Sequence, residues 1–290
     1  MKKIIGGLFL FSIFACTYQK ESGHITAGKL SVYYERSGKG EPLLLLHAGF
    51  MDHTMWAKQV AFFEKKYSVI TIDLPRSGGT TGSDTVLLIA DIIRICLDSL
   101  HVPKASVVGL SIGSTCATEF VLAYPERVNK LVLASPGMNG ANEVLQIDSI
   151  SMRAFARAGA ADSSRDKKKI AEAFAANWAV GPFRNAADID STVRNFVYNK
   201  TLWTLEQHEK DAWANFKQQP VAAKMVPSIT NKTLIIYADK DLPLIKNVSE
   251  YLHKHVKGSE LVVFNNVAHM LNMELPDRFN QVVDSFLVKQ

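Results

Sequence analysis

The sequence predicts an α/β fold: a mostly parallel, doubly wound sheet covered by helices on both faces, with an inserted helical lid. Three observations predict it. Short apolar runs alternate with helical patterns over residues 43–134 and again over 233–288, the pattern of a parallel sheet buried on both sides. From Pro136 to about Pro227 the alternation stops, and alanine-rich helical patterns with Trp178, Trp203 and Trp213 replace it. Residues 105–123 join a buried strand to a helix through Gly109-Leu110-Ser111-Ile112-Gly113, a sharp turn between the two.

The chain opens with Lys2 and Lys3 and an apolar run over residues 4–15. The run is too short to span a bilayer but suits a signal peptide over residues 1–15. It ends in Ile13-Phe14-Ala15-Cys16, which resembles a bacterial lipoprotein signal. The resemblance implies cleavage before Cys16, acyl chains on that cysteine, and a place in the bacterial cell envelope, anchored to the lipid bilayer. Residues 16–28 then read as a polar tether, 29–136 and 228–290 as the core, and 137–227 as the lid.

Within the core, residues 30–35 alternate Val32 and Tyr34 with Ser31, Tyr33 and Glu35 and read as an edge strand. The four leucines of 43–46 form a strand buried on both faces, ending in His47-Ala48-Gly49-Phe50. A short helix over 56–63 precedes a second buried strand over 68–73, which stops at Asp73-Leu74-Pro75-Arg76-Ser77-Gly78-Gly79. Ser83 or Asp84 caps a helix running to about Leu100. Further strands are expected over 106–110, 130–134, 233–237 and 260–264, and further helices over 112–123, 244–255 and 275–288.

Composition narrows the function. Hydrophobic residues make up 47% and charged residues 21%, with a net charge of +5, ordinary for a globular chain. No basic face with interleaved aromatics is present, which argues against nucleic acid. The run Lys167-Lys168-Lys169 reads as a solvated helix surface. Cys96 and Cys116 fall among apolar neighbours and read as small buried hydrophobes. No paired-cysteine or His-Glu-x-x-His spacing calls for a metal, and no cofactor is expected.

The turn at Ser111 carries the chemistry. A tight strand-to-helix turn needs small residues two before and two after the turning residue. That residue is held in strained backbone, with its side chain pushed outward at a helix start. A serine hydroxyl there needs a base, and the base needs an orienting acid. Eight histidines compete. His24 falls in the tether, and His47 ends a strand and supports the following turn. His101, His208, His253 and His255 lie on or beside helices and read as surface residues. His53, in a loop after the leucine strand, stays open by position. His269, in the loop after the last strand, is the best base. For the acid, Asp241 lies four residues past a strand end, with room to reach His269. Asp239 is nearer the strand and better placed to brace the loop.

The strand order and the chain order Ser111, Asp241, His269 resemble the α/β-hydrolase family. His47-Ala48-Gly49 looks like its His-Gly oxyanion motif, with Ala48 where glycine is usual. Residues 73–78 look like its Asp-x-x-Gly-x-Gly segment, with Pro75-Arg76 replacing a glycine, and residues 268–276 match its segment around the catalytic histidine. The resemblance implies Ser111 as nucleophile, His269 as general acid/base and Asp241 as its partner. It implies an oxyanion held by the backbone N–H of Ile112 and of Gly49, with Phe50 the competing assignment. Phe50, Leu242, Met270 and Trp178 are the candidate pocket residues, and lid aromatics such as Phe183, Phe196 and Phe216 are available to an acyl pocket. The implied activity is hydrolysis of an ester, lactone or similar small-molecule acyl substrate through an acyl-enzyme. The alternatives are carbon–carbon bond hydrolysis of a diketone-like substrate and a non-catalytic, ligand-binding surface lipoprotein. A serine at the elbow argues against the haloalkane dehalogenase and epoxide hydrolase branches, which use aspartate there. A missing Gly-Gly-x-Pro-Gly after the histidine sets the chain apart from proline iminopeptidases.

Overall fold

The computed structural model describes residues 20–83, 86–208 and 222–289. The signal peptide, Cys16, Asp84, Trp213 and Phe216 lie outside the described residues. Among those described, nine strands form one sheet. In chain order the elements begin with strands β1 (Glu21–Ala27), β2 (Leu30–Ser37) and β3 (Pro42–Leu46), helix α1 (Ala57–Phe63), β4 (Ser68–Ile72) and the two-residue β5 (Thr81–Gly82). Helix α2 (Ile89–Ser99), β6 (Ala105–Leu110), α3 (Ile112–Ala123) and β7 (Val128–Ala134) follow. The insert holds α4 (Ala141–Val144), α5 (Ser149–Ser163), α6 (Lys167–Phe174), α7 (Ser191–Gln207) and α8 (Ala222–Met225). The core then resumes with β8 (Lys232–Ala238), α9 (Pro243–His255), β9 (Glu260–Phe264), α10 (Leu271–Glu274) and α11 (Pro276–Val288).

The sheet order is β1-β2-β4-β3-β6-β7-β8-β9, with β5 paired to β2. From β4 to β9 neighbouring strands are parallel, while β1 and β2 are antiparallel additions at one edge. The leucine run shows how sequence becomes layering. Side chains of a strand alternate between faces, so Leu44 and Leu46 enter one core and Leu43 and Leu45 the other, all of them buried. Ile93 and Leu97 of α2, Phe120 of α3, and Val248 and Leu252 of α9 cover the first face. Phe63 of α1 and Phe279 and Val283 of α11 cover the second. Each fully buried Leu or Phe contributes about 1.5–3 kcal/mol. The helical insert between β7 and β8 shares the second core through Ile170, Phe174, Val193 and Val197, so it is packed onto the body of the molecule.

Three sequence expectations are corrected. The stretch read as a tether contains β1, which pairs with β2 along its whole length. Ile25 and Ala27 point into the first core while Thr26 between them stays exposed, and the polar start of the strand masks this alternation in the sequence. Consequently residues 30–35 belong to the second strand of the sheet rather than its edge. Helix α2 starts at Ile89, after the uncapping residue Leu88, rather than at Ser83 or Asp84. Thr81 and Gly82 are extended against Leu30 and Ser31, which holds the chain in strand geometry there. The basic run does start a helix: Asp166 caps α6 by accepting from the N–H of Lys168 and Lys169, and the three lysines are exposed. Cys96 and Cys116 are buried thiols, and burial pushes that of Cys96 up to about 12. No helix among the described residues is long and apolar enough to cross a membrane.

Candidate active site

At the carboxyl end of β6 the chain turns directly into α3 at Ser111, whose φ of 58° and ψ of −118° are strained for a residue with a side chain. Its two flanking glycines have steric causes. A Cβ on Gly109 would lie 2.3 Å from the carbonyl oxygen of Gly113, and one on Gly113 would lie 2.1 Å from that of Leu46. The turn is fixed from the neighbouring strand: the Ser111 N–H donates to Ala134 O at 3.0 Å, and the Gly137 N–H donates to Ser111 O at 3.3 Å. Ser114 adds a hydroxyl donation to Gly109 O at 2.7 Å. Ser111 itself remains half-buried at the start of α3, a twelve-residue helix with no capping side-chain bond from its N-cap, whose first N–H groups have no intrahelical partner.

His269 lies in the loop after β9 and is 1% exposed. Its Nδ1 sits 2.7 Å from Asp241 Oδ2. A carboxylate accepts, so Nδ1 carries the hydrogen and Nε2 is left with its lone pair. Nε2 is buried and has no hydrogen-bond partner among the described residues. A buried nitrogen in that condition is an unusual feature that calls for a functional account. Asp241 is oriented in turn by the Leu242 N–H, which donates to Oδ1 at 2.7 Å. Asp239 is turned elsewhere: Oδ1 accepts from the Asn266 N–H at 2.6 Å, bracing the β8 loop against the β9 loop. Ser135, the residue after the strand that holds the Ser111 N–H, donates its hydroxyl to His269 O at 3.0 Å. Ser111 and His269 thus hang from one strand end.

Three other histidines have occupied rings. His53 pairs with Asp73, Nδ1 to Oδ1 at 2.9 Å, and stands 3.6 Å from Glu35. Burial alone would lower its pKa, but the hydrogen bond and charge of Asp73 outweigh this and the net shift is upward. Asp73 also accepts from the N–H groups of His53 and Gly79, so this second His–Asp pair knits two loops together. His47 is buried, which lowers its pKa; Nε2 accepts from the Leu74 N–H at 2.8 Å and Nδ1 donates to Ala48 O. His208, expected at the surface, is half-buried, with Nε2 3.3 Å from Gly78 O.

Gly49 and Phe50 occupy the centre of a turn closed by the Met51 N–H donating to Ala48 O at 3.1 Å. Phe50 has φ of 57°, the left-handed value that position i+2 of a type II turn demands. The turn and the Ile112 N–H therefore present candidate oxyanion donors from two separate loops. From Phe50 an aromatic arc crosses the lid to the base. Phe50 meets Phe174 edge to face at 5.0 Å, Phe174 meets Trp178 at 6.3 Å, and the Trp178 ring lies 4.3 Å from the His269 ring. Trp178 stands on a wide helical turn of π type over residues 175–180. Leu242 packs with Ala154, Ile245 and Trp178, closing the gap between lid and core. Met270 is fully buried within the second core. Phe183 and Trp203 face outward, 50% and 38% exposed, and do not share this wall.

Four groups at the site carry no motif in the sequence. Phe174 completes the arc. Arg184 makes a bidentate, almost fully buried ion pair with Glu274 at 2.6 and 3.0 Å, and Glu274 also accepts from the Ala268 N–H beside His269. Lys200 and Thr204, one helical turn apart on α7, reach the turn that carries Gly49. Only the (i, i+4) spacing of a cation and a hydroxyl on an otherwise apolar face hinted at them.

The sequence matches the family model described as alpha/beta hydrolase fold over residues 41–276. It is 29% identical over 269 residues to the 2-hydroxy-6-oxononadienedioate/2-hydroxy-6-oxononatrienedioate hydrolase of Burkholderia vietnamiensis, covering 89% of this chain and 91% of that protein. Carboxylesterase CesB of Bacillus subtilis superposes with a TM-score of 0.71 at 21% identity, covering 93% of this chain and 92% of the other. Est816, described as an N-acyl homoserine lactone degrading enzyme, superposes with a TM-score of 0.69 at 24% identity, covering 91% and 99%. These two likenesses establish a shared fold.

Proposed function

Because the chain belongs to the alpha/beta hydrolase fold family, we propose that it is a serine hydrolase cleaving an ester, lactone or similar acyl bond through an acyl-enzyme. The observation that carries this reading is the buried His269, with Asp241 on Nδ1 and an unpartnered Nε2. A base oriented on one nitrogen and open on the other is what a weak nucleophile needs. In this reading Ser111 Oγ attacks the carbonyl carbon while Nε2 takes its proton. The tetrahedral oxyanion is held by the Ile112 N–H and by Gly49, or in the competing assignment Phe50; each such donor contributes about 3 kcal/mol to lowering the barrier. On collapse Nε2–H protonates the departing alkoxide, leaving the acyl group on Ser111. Water, deprotonated by Nε2, then releases the acid and restores the serine.

Carbon–carbon bond hydrolysis is the second reading, favoured by the name of the 29% identical relative. That name describes a dianionic substrate, which calls for cations at the site. Two lid cations bordering the site, Arg184 and Lys200, are instead engaged by Glu274 and Asp52, and the wall over His269 is aromatic. Both features support an uncharged acyl substrate. The test is hydrolysis of short acyl p-nitrophenyl esters by the purified domain. Turnover is expected, and Ser111→Ala should lower kcat by about 10³-fold or more; activity persisting in that variant contradicts the assignment. Turnover of dienedioate but not of esters moves the protein to the second reading.

The N-terminal signal adds a location: acylated Cys16 would tether the hydrolase to the bacterial envelope, with two or more chains giving a stable anchor.

A further inference from the structure

Helix α7 of the lid is tied to the turn that bears the candidate oxyanion donors by two side chains one helical turn apart. Thr204 is fully buried in α7. A threonine inside a helix ordinarily returns its hydroxyl to the carbonyl four residues back, and Thr201 does so, donating to Val197 O at 2.8 Å. Thr204 instead donates across the lid–core boundary to Phe50 O at 2.9 Å, a buried bond spanning 154 residues of chain. Lys200 donates from Nζ to Asp52 Oδ2 at 2.8 Å. Asp52 in turn caps the next helical turn by accepting from the Thr54 N–H. Burial of Asp52 would raise its pKa, but the Lys200 and Thr54 hydrogen bonds reverse this and hold it below the ordinary carboxylate value.

The residue that Thr204 anchors needs holding. Phe50 adopts φ of 57° although it carries a bulky side chain, a conformation that persists only where the surroundings over-determine it. Rotation of the Gly49–Phe50 peptide would relieve that strain, swing the Phe50 N–H away from its present direction and reshape the turn that carries Gly49. Resting on the serine-hydrolase reading above, we infer that Thr204 and Lys200 are positioning residues for the oxyanion turn. The lid helix, besides roofing the substrate, holds the electrophilic half of the site in its strained, productive form. Thr204 acts on the carbonyl of Phe50 itself and Lys200 on Asp52 two residues later, so both anchors fix the turn from its carboxyl side.

The test reads Ser111 directly. A fluorophosphonate phosphonylates the serine, the new O–P bond replacing P–F with loss of fluoride and the serine proton, and its phosphoryl oxygen needs the same donors as an acyl oxyanion, so no natural substrate is required. For the full chain, the second-order labelling rate is measured alongside kcat and KM for a short acyl ester and the thermal midpoint. Thr204→Val, which keeps shape and removes the donor, should slow labelling and lower kcat about tenfold, with KM changed less than about twofold, since a misplaced donor loses part of its stabilisation of the transition state. Thr204→Ser should restore the rate to near wild type. Lys200→Met should lower the rate in the same direction, and it supplies the test should Thr204→Val fail to fold. If both variants lose thermal stability while labelling at the wild-type rate, the two residues only glue lid to core and the inference is overturned. If wild-type Ser111 is not labelled at all, the serine-hydrolase reading fails and takes this inference with it.

Discussion

His269 touches three different parts of the chain, and each contact has a separate consequence. Asp241 orients its ring, Ser135 holds its carbonyl and Trp178 covers its face. Replacing Asp241 with Asn removes the acceptor that fixes Nδ1–H and allows the wrong tautomer, so kcat should fall by about 10⁴-fold. Asp239→Asn, which touches the loop brace at Asn266 and an ion pair with Lys240 rather than the imidazole, should cost far less. Steady-state kinetics of the two variants check this, and the reverse order would transfer the role to Asp239. Chain spacing could single out Ser111, Asp241 and His269 because a strained elbow and two strand-end loops leave local traces. Gly109 is a glycine for a reason visible within five residues, the carbonyl of Gly113. No such trace existed for Lys200, Thr204 or Arg184, whose partners lie 148, 154 and 90 residues away. Their roles arise only when the lid docks.

The elements around the site differ in how they are held. The loops after β3 and β4 are joined by His53 and Asp73, with Asp52 and Glu35 adding negative charge and Tyr33 packing on the imidazole ring at 5.1 Å. A histidine whose folded pKa is raised adds stability that is fully present below its ordinary value near 6.5 and is lost as pH rises through the folded value. His53→Gln should therefore lower the thermal midpoint more at pH 6 than at pH 9; an equal loss at both would show that the pair's charge does not contribute. The lid is locked near His269 by Arg184, which reaches Glu274 and the carbonyls of Ala179, Val180 and Asn266. Breaking a buried pair from one side leaves an uncompensated charge, so Arg184→Met should destabilise the protein by about 3–5 kcal/mol. Denaturant unfolding measures this directly, and a loss below about 1 kcal/mol would mean that the lid does not depend on this lock.

At the scale of the whole molecule, the sheet and its two cores were legible because each buried strand announces itself as a short apolar run and each covering helix by its spacing. What escaped was β1, a polar strand whose pairing with β2 is stabilised by backbone hydrogen bonds that any sequence can make. It also moves the start of the fold toward the N-terminus: Cys16 lies only five residues before Glu21, the first residue of β1. An acyl anchor on Cys16 would therefore hold the hydrolase close to the bilayer. Mass spectrometry of the N-terminal peptide from the membrane fraction should find Cys16 as the first residue, carrying acyl chains; an unmodified peptide retaining Met1 contradicts the anchor.

The account turns on Ser111 being the nucleophile of a working Ser-His-Asp site, and one measurement reaches that claim without knowledge of the substrate. The purified protein is incubated with a fluorophosphonate and the labelled peptide is identified by mass spectrometry. One equivalent of label on Ser111, absent from Ser111→Ala and strongly slowed in His269→Ala, is the predicted result. An unlabelled Ser111, or label on another residue that persists in Ser111→Ala, would contradict the account.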